Sequence, residues 1–79
     1  MLISEKLIFE KLEEAVKMGL LKEEFVRSLD LGEDSIGFKG SKVFVAKNYA
    51  KWLFRETDKL EIIEIDLNEK TVKVLERKR

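Results

Sequence analysis

The chain has 79 residues, with sixteen Lys or Arg against sixteen Asp or Glu and no Cys, His or Pro. That length holds one domain. The missing Cys and His exclude disulfides, remove the common nucleophile–base pairs of covalent catalysis, and leave no usual zinc or haem ligand. The sequence therefore reads as one domain, residues 1–79, that is not an enzyme and needs no cofactor or metal; the missing Cys says little about compartment, and the cytoplasm is the default. Its longest apolar runs are too short to span a membrane, and its opening, MLISEKLIFEKLEE, is charged throughout, unlike a secretory leader. A domain this small has little core and gains from a partner subunit. The 41% charged content, mostly Lys and Glu, resembles that of thermophile proteins.

Zero net charge hides a division. Residues 1–34 carry five cations and nine acids, a balance of −4; residues 35–79 carry eleven and seven, a balance of +4. The boundary falls in the turn-like stretch DLGEDSIG, so residues 1–32 read as an acidic helical hairpin and 35–79 as a basic, strand-rich part.

In SEKLIFEKLEEAVKMG, apolar residues at Ile3, Leu7, Ile8, Leu12, Ala15 and Val16 have helical spacing, with Ser4 as N-cap and Gly19 as the left-handed stop. Leu21, Phe25, Val26 and Leu29 predict a second helix in LLKEEFVRSLDLG, ended by Gly32. The period then becomes two. Ile36 and Phe38, then Val43 and Val45, flank Gly40-Ser41, a tight-hairpin loop in which Gly takes the positive φ. A continuous helix over 42–56 is the alternative; it fits less well, because Val43 and Val45 are β-branched and Phe44 would fall on its polar arc. KNYAKWLFRE reads as a helix with Tyr49, Ala50, Trp52 and Leu53 inward. KLEIIEI and TVKVLE read as strands about a turn at Asn68. The order is α-α-β-β-α-β-β, an α+β fold.

Adjacent carboxylates such as Glu13 and Glu14 fall on outward helix faces and read as solvated charge. Asp30, Glu33 and Asp34 lack the spacing of a calcium loop. GFKGSK lacks the full phosphate-loop spacing, and a hairpin turn explains its glycines. The sharper signal is the run from Ser35 to Arg55, which has no acid and five cations, Lys39, Lys42, Lys47, Lys51 and Arg55. On a helix over 47–56, Lys47, Lys51 and Arg55 share a face and repel one another, so an anionic partner is expected. That partner is either the protein's own acidic half or a nucleic-acid backbone. Among the interleaved aromatics, Tyr49 and Trp52 belong to the apolar face and Phe54 flanks the cationic one.

Read together, GSKVFVAKNYAKWL and ETDKLEIIEIDLNEKTVKVLE, within about residues 36–77, resemble the AbrB/SpoVT/MazE family of swapped-hairpin DNA-binding domains. Ala46 stands at the family's corner Pro, Ser41 at its usual Gly, and Phe54 at the Gly after its helix. The resemblance implies a homodimer in which two chains exchange hairpins into a small barrel and present cations to duplex DNA. It places Lys42 and Lys51 at family Arg positions and Lys47 at a common Lys; Lys39 and Arg55 are added from charge alone, and the basic tail adds Arg77, Lys78 and Arg79 as non-specific contacts, with a solvated terminus as the alternative. The expected function is a dimeric transcriptional regulator that docks on duplex DNA through these lysines. The alternative is a protein-interaction module, antitoxin-like or adaptor, acting through the acidic helices of residues 1–32 without DNA. A third reading, a purely structural domain, requires ion pairs between residues 5–30 and 39–55.

Overall fold

The computed structural model describes residues 3–78, and side chains from Glu5 to Lys78. Its elements are α1 (Ile3–Lys17), α2 (Glu23–Arg27), β1 (Ser35–Lys39), β2 (Lys42–Ala46), α3 (Tyr49–Leu53), β3 (Lys59–Asp66) and β4 (Thr71–Lys78). This is the expected order, and residues 42–46 are strand. The four strands form one antiparallel sheet in the order β1-β2-β3-β4. The helix is already under way at Ser4, which is therefore not its cap; the Ile3 and Ser4 side chains and Arg79 lie outside the described residues.

Gly19 ends α1 at φ 79. The Leu20 N–H donates to the Ala15 carbonyl at 2.9 Å and the Gly19 N–H to the Val16 carbonyl at 3.0 Å. These two bonds satisfy carbonyls that the helix end would leave open. The second helix is shorter than its apolar spacing suggests. It stops at Arg27 because polar side chains compete for the backbone beyond it. The Ser28 hydroxyl donates to the Phe25 carbonyl at 2.7 Å, and the Asp34 carboxylate takes the Asp30 N–H at 2.9 Å. Gly32 sits in a later turn, where its N–H donates to Asp30 at 2.8 Å.

The Gly40-Ser41 hairpin is as expected, with Gly40 at φ 61 and Lys39 opposite Lys42. The β3–β4 turn spans residues 67–70 and includes Asn68, as expected. Asp66 Oδ1 accepts from the Asn68 N–H at 2.9 Å and the Glu69 N–H at 3.0 Å, and Lys70 takes the left-handed position, φ 58.

The period-two pattern gives the sheet two faces. On the first, Ile36, Val43, Val45, Ile63 and Ile65 pack under α1 and α2, against Leu12 and Ala15. Leu12, Val43, Val45 and Ile65 are fully buried; each contributes about 1.5–3 kcal/mol by leaving water. Leu7 and Leu53, both expected inward, are largely exposed. Val72 and Val74 continue this face past the helices to the sheet edge. On the second face lie Gly37, Phe44, Ala46, Leu60 and Ile62, with α3 at one end. No described helix is long and apolar enough to cross a membrane.

Candidate nucleic-acid interface

The second face of the sheet has an apolar part and an ionic part. Near α3, Phe44, Ala46, Leu60 and Ile62 line a groove of about 390 Å³ with Tyr49, Trp52 and Arg77. Tyr49 and Trp52 meet edge to face, centroids 6.0 Å apart. Gly37, opposite Phe44, contributes no side chain to this face, and a Cβ built there meets nothing within 4 Å. Toward the hairpin tips, Lys42, Glu64, Asp66, Thr71 and Lys73 gather. Lys42 pairs with Glu64 at 3.3 Å, its side chain still 49% exposed. Strand parity adds Lys39, the residue opposite Lys42. Lys39, Lys42, Lys73 and Arg77 therefore share the face with only Glu64 and Asp66.

The two turns at this end are tied together. The Leu67 N–H donates to the Ser41 carbonyl at 2.8 Å, and the Ser41 hydroxyl reaches Asp66 Oδ1 at 3.4 Å. The backbone N–H of Glu69, and with less weight that of Asn68, the Ser41 hydroxyl and the Lys42 charge, hold the Asp66 carboxyl below its ordinary range against the opposing effect of desolvation.

Lys47, Lys51 and Arg55 do not form the expected stripe. The helix spans only Tyr49–Leu53, so Lys47 precedes it and Arg55 follows it. Lys47 is committed to Asp34, with Nζ 2.9 Å from Oδ2 and the carboxylate side chain 1% exposed; it also reaches the Ser28 carbonyl at 3.4 Å. Asp34 Oδ1 accepts from the Asn48 N–H at 2.8 Å. That bond holds Asn48 at φ 58, the corner from β2 into α3. Burial pushes the Asp34 carboxyl up, but the N–H groups of Asp30 and Asn48 and the Lys47 ammonium outweigh it and bring the group below its ordinary value. Asp34 is thus a structural clasp, its two oxygens taken up by Lys47 and by the N–H groups of Asp30 and Asn48.

Lys51 is exposed on the other flank of α3, lining a hollow with Lys59 and Glu61. Arg55 is exposed beyond the helix. Four strand steps of about 3.3 Å separate this end of β2 from Lys42. The structure therefore brings Lys39 and Lys42 together and sets Lys51 and Arg55 apart from them. Lys73, which the charge-based reading did not place at the site, gathers with Lys42 about Glu64; Arg77, expected only as part of the basic tail, shares the face but lies opposite Leu60 at the α3 end. Their signal was the alternation in TVKVLERK, where Lys73, Leu75 and Arg77 share a parity.

Among the described residues, no salt bridge joins residues 5–30 to residues 39–55. The pairing required by a purely structural lysine face is not made there. No protein-family model, curated protein or solved structure matches the chain.

Proposed function

We propose that this chain is a small DNA-binding protein, acting as a dimeric transcriptional regulator, that docks on the duplex backbone with the open face of its sheet. One observation carries the reading: the acidic helices and the cations Lys39, Lys42, Lys73 and Arg77 lie on opposite sides of the sheet. The positive face is not quenched by the helical carboxylates. In this reading the four cations contact phosphates, each contact releasing counterions, and register on the duplex comes from the rigid sheet. Lys51 and Arg55 contribute at the margin, and Lys47 supports the corner that carries α3.

Exchange of hairpins, as the family resemblance implies, would replace the pairing of β2 with β3, which within one chain runs from Lys42 opposite Asp66 to Ala46 opposite Ile62. The DNA reading requires a second copy but not that exchange. Charge reversal tests the face. Lys42→Glu with Lys73→Glu should abolish the mobility shift of a short duplex at low salt, while Lys51→Glu should weaken it only slightly. Equal losses from the two changes would move the interface to α3, and no shift by the wild-type protein at low salt would remove the proposal.

A second reading is favoured by a hollow of about 380 Å³ between α1 and α2, lined by Glu13, Val16, Lys17, Glu23, Val26 and Arg27. It suits a protein-interaction module acting through the acidic helices. It predicts a stoichiometric protein partner whose binding is lost on Val16→Lys and is indifferent to Lys42→Glu.

A further inference from the structure

The last strand, β4, is the longest exposed element. All eight residues from Thr71 to Lys78 are exposed, Val74 being 65% open and Val72 42%. It pairs with β3 on one side only, so its other edge presents unpaired N–H and C=O groups. The opposite edge, β1, is shorter, five residues, and touches α1. Small domains blunt such edges with charge, and Lys73, Glu76, Arg77 and Lys78 do so here. Charge on an edge is selective, however, because it forbids only the registers that oppose like signs.

Symmetry narrows those registers. Two antiparallel edge strands of identical chains are related by a two-fold axis normal to the sheet, which keeps each face on its own side. Directly opposed residues must share a parity, so the axis passes through a residue and its own mate. With the axis at Lys73, Lys73 faces itself. At Leu75, Lys73 faces Arg77 twice. At Glu76, two carboxylates face each other. At Val74, Val74 meets its mate, Val72 meets the partner's Glu76, Lys73 meets the partner's Leu75, and Thr71 meets the partner's Arg77. Of the registers that pair five residues or more of β4, this alone opposes no like charges within the strand; Lys78 passes beyond the pairing, level with the partner's Lys70 in the β3–β4 turn.

We propose that two copies of the chain associate antiparallel along β4 about a two-fold axis at Val74, forming one continuous eight-stranded sheet. The exposed Val74 of each copy then meets its mate on the helix-covered side, with Val72 of each beside the partner's Glu76. On the open side, Lys73 and Arg77 of both copies gather at the centre, and Thr71 of each copy lies beside the partner's Arg77, which rims the groove of the other. The proposal rests on the DNA-binding reading only for the use of that joined face; the association itself is independent of it.

Because the chain has no Cys, single-cysteine variants test the register without background. Directly opposed strand residues sit about 4.5–5.5 Å apart between Cα atoms, within disulfide range, whereas residues further from the axis are well beyond it. Under mild oxidation in the absence of nucleic acid, Val74→Cys should form covalent dimers, while Val72→Cys should stay monomeric on a denaturing gel. Val74→Lys, which places two ammonium groups on the axis, should shift the light-scattering mass of the protein from dimer to monomer. A wild-type protein that is monomeric at micromolar concentration would overturn the proposal, as would cross-linking of Val72→Cys as efficient as that of Val74→Cys. Cross-linking of Val72→Cys would move the register and leave the charge-reversal test of DNA binding untouched, whereas a wild-type monomer would also remove the second copy that the DNA-binding reading requires.

Discussion

Asp34 is the residue on which the most structure converges. Its carboxylate joins the end of the helical half to Lys47 and to the Asn48 N–H, so it fixes both the entry to β1 and the exit from β2. Replacing it leaves a partly buried ammonium and two backbone donors short of an acceptor. Asp34→Ala should destabilise the protein by about 2–4 kcal/mol, read from chemical denaturation. Its carboxyl is held below the ordinary Asp value in the folded state, so the unfolded chain binds the proton more readily. The resulting stability is complete above the ordinary Asp value and drains away as pH falls from there through the lower folded value. Asp66 adds to the loss with the same sign. Denaturation midpoints should therefore fall below about pH 4, and Asp34→Asn should flatten that fall while lowering the neutral-pH value. A variant whose acid profile parallels the wild type would deny Asp34 this role.

Arg55 is the second residue whose backbone matters. It sits at φ 60, and the Glu56 N–H returns to the Lys51 carbonyl at 2.8 Å. This is the same closing pattern that Gly19 gives α1, with arginine in the left-handed place. Only Gly takes that conformation without a Cβ clash. Arg55→Gly should raise stability by about 1 kcal/mol in thermal or chemical unfolding, and a loss of stability would contradict the assignment.

At the scale of elements, α1 and the first hairpin were legible because side-chain period and turn chemistry agree there. Apolar spacing carried Gly19 and Gly40 with it, and both take positive φ. The short helices were over-read for one physical reason. Apolar spacing records which side faces the core but not where polar groups interrupt the backbone. Ser28, Asp30 and Asp34 end α2 early, and at Arg55 no glycine marks the end of α3. The clasp was legible in principle. With Lys39 opposite Lys42, the same hairpin places Ser35 opposite Ala46, and one step further sets Asp34 against Lys47. Charge and the family resemblance assigned Lys47 to DNA, whereas register assigns it to Asp34. Lys73 and Arg77 depended on knowing which strand neighbours β3.

The groove on the open face is also a property of an element, because β1 runs a glycine across from Phe44. Gly is unfavourable within a strand, and Gly37 has room for a side chain. Gly37→Val should stabilise the sheet by about 0.5–1 kcal/mol while narrowing the groove. An unchanged or lowered unfolding midpoint would show that the backbone at Gly37 needs a conformation valine resists.

Over the whole molecule, the division of charge along the sequence becomes a division in space. The acidic residues of α1 and α2 sit on the layer that covers one face of the sheet, and the strand cations Lys39, Lys42, Lys73 and Arg77 lie on the other, while Lys59 and Lys78 stay on the helix side beside Glu76. Net charge of zero therefore coexists with a polarised surface, which steers association far more than the sum suggests. Folding joins the two halves through apolar contact between α1 and the first strands and through the clasp of Lys47 on Asp34.

The most direct measurement is the affinity of the wild-type protein for a short duplex as salt is raised from roughly 50 to 200 mM. Four phosphate contacts per open face predict a log–log slope between about −3 and −4 for one copy, and about twice that for a dimer. In Lys42→Glu with Lys73→Glu, binding should be lost across the whole range. Binding with a slope near zero, or binding that survives reversal of both lysines, would contradict a phosphate-contacting sheet face.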